Sequence, residues 1–197
     1  MQETWLRTLA WTDYRLAVIL TVLVPIILTV WALLKRENVL LQLLIIYWRV
    51  SSLLMITVYL LIPGWRIGFI SGWLSRFLIA IALWFWVDIN EDITEQPDSS
   101  LKLTFAAWRW ANTIYNVVGG LMFTPFLSCA INSNLTPTPF CQIWTEAPWL
   151  YREILHRAYK PEFLGFWGAM GLGVYALYLA HFLIVRLGKQ GRSALEP

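Results

Sequence analysis

The chain has 197 residues, 58% hydrophobic and only 14% charged, with a mean hydropathy of +0.58. A soluble domain carries about a quarter charged residues, so this composition leaves little room for one and points to a bundle of membrane helices. The net charge of +3 comes from Lys and Arg near the ends of apolar runs. No basic stretch of five or more residues accompanies it, so no nucleic-acid partner is expected.

In chain order, residues 2–14 mix Trp, Leu and charge and read as a short interfacial helix. The first span is about 16–34, with Pro25 at its centre, a kink tolerated if neighbours satisfy the freed carbonyl. It lacks a small-residue cleavage site and is expected to remain as a helix. The second span, about 39–62, stops at Pro63-Gly64, and the third covers about 67–87. An acidic connection from Asp88 to Asp98 leads to the fourth span, about 104–127. A long connection, 128–162, carries Cys129, Cys141 and a short amphipathic stretch, APWLYREILHRAY. The fifth span is about 163–187, followed by a basic tail. The expected fold is all-α: a single polytopic membrane domain, about five transmembrane helices, one long extracytoplasmic loop. Many of the thirteen tryptophans flank spans, among them Trp5, Trp31, Trp65, Trp86 and Trp108, where indoles anchor at lipid headgroups.

Five spans put the termini on opposite sides, and the basic residues divide evenly, six to each side. The cysteines break the tie. A Cys129–Cys141 disulfide would close a loop of thirteen residues, adding about 3 kcal/mol in the chain-entropy picture. Such bonds persist outside the cytosol. The long loop and N-terminus are therefore expected outside, the acidic connection and tail in the cytoplasm, with two unpaired cytoplasmic thiols as the alternative.

Three arginines lie inside apolar runs: Arg49, Arg76 and Arg109. Each guanidinium stays protonated and needs anions, carbonyls or water at membrane depth. Arg49 is eleven residues into its helix, about 15 Å and close to the midplane, with Gln42 and Ser52 on its face. Arg76 shares a face with Gly72 and Ala80. Arg109 heads a polar stripe continued by Asn112 and Asn116, and Asp88 should lie level with it. An Arg109–Asp88 ion pair is expected, with Glu91 as the substitute acid. For Arg49 and Arg76 three readings stand open: helix tying, binding of an acidic lipid or small anion, and anion transport.

Gly165, Ala169 and Gly173 recur every four residues on the fifth span. Such a stripe permits close helix contact, within the bundle, with another membrane protein or in a homodimer. His181 is the only histidine inside a span. It is an ordinary hydrogen-bonded side chain or a ligand to a pigment such as chlorophyll. No cofactor is predicted beyond that chlorophyll or carotenoid possibility. No metal cluster, phosphate loop or nucleophile motif is present in the sequence, and no enzyme activity is expected.

The stretches LIIYWRVSSLLMITVYLLI, SRFLIAIALWFWVDINEDI, LKLTFAAWRW and FLIVRLGKQGRSALEP together resemble a family of small cyanobacterial multi-span membrane proteins of unknown function. The resemblance runs along nearly the whole chain. It implies a cyanobacterial membrane, thylakoid or plasma, where accessory proteins assist assembly of the photosystems. It transfers no functional residues. The expected function is that of an auxiliary or assembly factor binding other membrane proteins, with a lipid or anion protein centred on Arg49 and Arg76 as the alternative.

Overall fold

The computed structural model describes residues 2–194. Five helices are long and apolar enough to cross a membrane: Glu3–Lys35, Asn38–Leu61, Ile67–Trp84, Ser100–Ile131 and Pro161–Lys189. No strand occurs among the described residues. The chain is a multi-pass, all-helical membrane protein.

The first helix is longer than the sequence suggests. α1 (Gln2–Ala17) passes through a π turn (Val18–Leu23) into α2 (Val24–Lys35). Residues 2–14 are not a separate interfacial helix, because no breaker interrupts them and their side chains are tied into the fold. Arg7 pairs with Glu146 at 2.8 Å, and the Trp11 indole donates to the same carboxylate at 3.0 Å. Tyr14 donates to the Trp144 carbonyl at 2.7 Å.

The π turn is the chain's answer to Pro25, which has no N–H. Val24 donates five residues back, to Ile19. The carbonyls that an N–H at position 25 would serve are Thr21 in α register and Leu20 in π register. Tyr47 Oη donates to Thr21 at 2.8 Å, and Trp108 Nε1 donates to Leu20 at 2.8 Å. Tyr47 and Trp108 meet edge to face, their ring centroids 5.0 Å apart. Both are buried. Trp108 and Trp86, expected at the headgroups, therefore sit in the core.

Arg36 in left-handed conformation (φ 57°) lets α2 end and α3 (Asn38–Leu61) begin within two residues. Pro63 and Gly64 (φ 73°) turn the chain into α4 (Ile67–Trp84). The acidic connection is itself helical, α5 (Val87–Glu95), since its isoleucines Ile89 and Ile93 are buried on one side. α6 (Ser100–Phe123) starts on Ser99, whose hydroxyl accepts from the Lys102 N–H at 3.1 Å. A 3₁₀ turn carries it on to α7 (Ser128–Ile131). α8 (Pro139–Gln142) and α9 (Glu146–Leu155) cap one end of the bundle. α10 (Pro161–His181) continues through a π turn into α11 (Leu187–Gln190).

α3 is the hub, packed on α4, α10 and α2, while α4 also packs on α6. Two apolar clusters form the core. One, at the end holding α5 and the C-terminal tail, joins Leu40, Leu44, Tyr47, Ile79, Trp86 and Phe105. The other, at the opposite end, packs Phe69, Phe123, Phe126 and Trp144 around the Cys129–Cys141 disulfide. These ends are called the tail face and the disulfide face.

Candidate functional site

The three intramembrane arginines have three different environments. Arg76 on α4 is buried, and its Nη2 pairs with Asp13 Oδ2 from α1. Tyr115 of α6 donates to Asp13 Oδ1 at 3.0 Å and to its carbonyl at 3.0 Å. The Arg76 guanidinium lies 5.3 Å from the Tyr115 ring centroid. Of the readings open for Arg76, helix tying fits this geometry, since Asp13 supplies the anion from within the chain. Sequence reading missed Asp13 because the continuity of α1 was not visible, which left the acid assigned to the interface.

Arg109 on α6 is also buried, but Asp88 is not its partner. Its Nη2 donates to Asn90 Oδ1, and its guanidinium stacks on the Trp84 ring, 3.7 Å from the centroid. Successive residues turn by about 100° in a helix, so Asp88 and Asn90 leave α5 in opposing directions. Asn90 faces the bundle. Asp88 faces the tail, accepting from Ser193 Oγ at 2.8 Å and from the Ala194 N–H at 2.7 Å. Among the described residues no ion pair joins Arg109 to Asp88 or Glu91.

Asn112 and Asn116 are fully buried on the same stripe as Arg109, and Asn116 Nδ2 donates to the Asn112 carbonyl and amide oxygens at 2.8 and 2.9 Å. The stripe faces protein and is packed shut. Gly119 continues it, and a Cβ there would fall on Arg76 Nη1.

Arg49 differs from both. It is exposed at the centre of α3, and among the described residues its guanidinium has no ion pair, hydrogen bond or ring contact. It lines a cavity of about 530 Å³ between α3, α4 and α10, a volume in the usual range for small-ligand sites. The walls are Ile46, Val50, Leu78, Ile81 and Leu179, with Gln42 and Asn38 adding polar groups toward the tail face. Tyr175 closes the deep end, donating to the Val50 carbonyl at 3.4 Å. Side chains on a helix lean toward its N-terminus, so Arg49 leans from mid-depth toward Gln42 and Asn38. Arg186 stands at the tail-face mouth, half-buried. The cavity is apolar with a cation at its deep end.

The remaining predicted residues are dispersed. The small-residue stripe of α10 is split. Gly165 meets Pro63, and Gly168 and Gly171 meet α3, whereas Ala169 is exposed and Gly173 has no atom within 4 Å of an added Cβ. The helix turns its i, i+3, i+6 glycines toward the bundle, the first two buried and Gly171 half-buried, so the four-residue spacing drifts off the contact. His181 is exposed on α10, and no metal-holding group of three His, Cys, Asp or Glu exists among the described residues. At the disulfide face, His156 Nε2 and Tyr59 Oη lie 2.8 Å apart, with Tyr151 and Tyr159 around the imidazole. Burial, then the hydrogen bond with Tyr59, pushes the Tyr151 hydroxyl up to about 12.

A family model described as "Protein of unknown function (DUF3177)" matches residues 7–195. The chain belongs to that family. The match spans Asp13, all three intramembrane arginines and the cavity walls, so the DUF3177 unit is the whole bundle. No curated protein and no solved structure matches the chain.

Proposed function

We propose that this DUF3177 protein is a non-catalytic membrane protein that holds an acidic amphiphile in the cavity between α3, α4 and α10. The observation that carries this is Arg49, a guanidinium at mid-membrane with no partner among the described residues, beside an apolar cavity. An arginine at that depth is expensive unless an anion meets it. The cavity walls suit a hydrocarbon chain, and Arg49 with Gln42 suits a carboxylate or phosphate. The ligand is either a membrane phospholipid or a free fatty acid. Lipid extraction of protein purified in mild detergent separates them. Wild type should carry close to one acidic amphiphile per chain, and Arg49→Leu should lose it. Equal recovery from both proteins rules the reading out.

A second reading is an auxiliary or assembly factor that docks another membrane protein, or a second copy, on α10. The supporting observation is that α10 packs chiefly on α3 among the spanning helices, with hardly any of its length buried. Its outward face presents Ala169, Gly173 and Ala176, and Gly173 has open space before it. A thylakoid or other cyanobacterial membrane, with photosystem components as partners, fits this reading. The proposed orientation has the disulfide face outside and the tail in the cytoplasm, because the Cys129–Cys141 bond needs an oxidising compartment. Co-purification of a discrete membrane complex, lost on Gly173→Leu, tests it; a monomer in every mild detergent counts against it.

A further inference from the structure

The C-terminal segment returns to the tail-face end of the Arg49 cavity, which Ala194 lines. After α11, Gly191 adopts φ 60° and ψ −134°, a conformation open essentially to glycine alone. The chain reverses there. Arg192 Nε donates to the Phe85 carbonyl at 2.7 Å, and its guanidinium lies 5.3 Å from the Phe85 ring centroid. Its own carbonyl accepts from the Val87 N–H at 3.2 Å. Ser193 and Ala194 both donate to Asp88 Oδ2. Ala194 is buried in one cluster with Trp86 and Phe182, and all three line the cavity.

We propose that residues 191–194 form a releasable latch that closes the tail-face mouth of this cavity and controls exchange of its occupant. The proposal rests on the cavity being a binding site. Two features distinguish a latch from an ordinary packed tail. Among the described residues, the contacts that hold it are polar bonds at the α4–α5 corner, which water can replace, the Arg192–Phe85 ring contact and the buried Ala194 methyl group. The anchoring corner lies on one wall of the mouth, while α3 and α10 form the others. The segment can therefore leave without unwinding any spanning helix. Asp88 is the keystone, since one carboxylate oxygen holds two successive residues of the segment.

The test introduces Leu41→Cys in the cavity wall near the mouth and follows its labelling by a charged, membrane-impermeant maleimide in full-length protein. The native cysteines are joined to each other and do not compete. Asp88→Ala removes the acceptor, and Ser193→Asp sets a second carboxylate against Asp88. Each should speed labelling about tenfold or more, as expected for losing hydrogen bonds to a charged acceptor. Asp88→Asn, which keeps an acceptor oxygen, should fall between. Should Asp88→Ala fail to fold, Ser193→Asp still decides. Rates equal to wild type in the folded variants overturn the latch. Thiol access is read without any bound amphiphile, so wild type recovered without ligand would sink the binding reading and leave the latch result standing. Lipid retention with unchanged thiol access would do the reverse.

Discussion

Tyr47 gives its hydroxyl proton to the Thr21 carbonyl, one of the two that Pro25 leaves without an N–H. A residue on α3 thereby completes the backbone of the preceding helix, and Trp108 on α6 does the same for Leu20. The helix break, the π turn and the inward turn of two aromatic side chains are one arrangement.

Tyr47→Phe should destabilise the protein by about 1–3 kcal/mol, because it leaves a buried carbonyl unpaired. In a Pro25→Ala background the helix can supply its own N–H, and the cost should shrink. Unfolding of the four proteins of this double-mutant cycle in detergent measures the coupling. Equal costs in both backgrounds would separate Tyr47 from Pro25.

In the Asp13–Arg76 pair the guanidinium is buried and the carboxylate partly so. Asp13→Leu should cost about 3–5 kcal/mol, since it strands a guanidinium inside the bundle. Adding Arg76→Met should recover part of that loss. Thermal unfolding of the single and double variants checks it, and a double variant as weak as the sum of the singles would contradict it.

Two glycines should respond in opposite ways. Gly119→Ala drives a methyl group onto Arg76 Nη1 and disturbs the same pair. Gly173→Ala meets nothing and gains helix propensity, about 1 kcal/mol. Melting temperatures should fall for the first and hold or rise for the second.

Reducing Cys129–Cys141 should remove about 2–5 kcal/mol and loosen the ring cluster of Phe126, Phe140 and Trp144 at the disulfide face. Hydrogen exchange before and after reduction should show the change there, with protection at α5 unaltered. Uniform deprotection of both faces would contradict this division.

The five spans were legible because membrane helices announce themselves by length and apolarity, but the first helix begins at Glu3 and not near residue 16. The long connection was legible too, with a short helix where the amphipathic stretch lies. The arginine partners were not. Asp13 and Arg76 are 63 residues apart, and no local spacing relates them. Asp88 was the nearest acid to Arg109 in a helical-hairpin picture, but the short helix α5 turns it to the tail and presents Asn90 instead. The tryptophans misled for a related reason. An indole beside a span end reads as a headgroup anchor, whereas Trp108 is needed inside by a carbonyl that Pro25 orphans, a demand set only in three dimensions. Arg49, at the centre of α3, has no ion pair among the described residues.

The most direct measurement is a native mass-spectrometry titration of wild type, Arg49→Lys and Arg49→Leu with phosphatidylglycerol, phosphatidylcholine and oleate. Wild type should favour an acidic species over phosphatidylcholine by about tenfold, the size of one good charge-assisted contact. Arg49→Lys should keep part of that preference, and Arg49→Leu should abolish it. If Arg49→Leu bound acidic and zwitterionic species as wild type does, Arg49 would not be the centre of a ligand site.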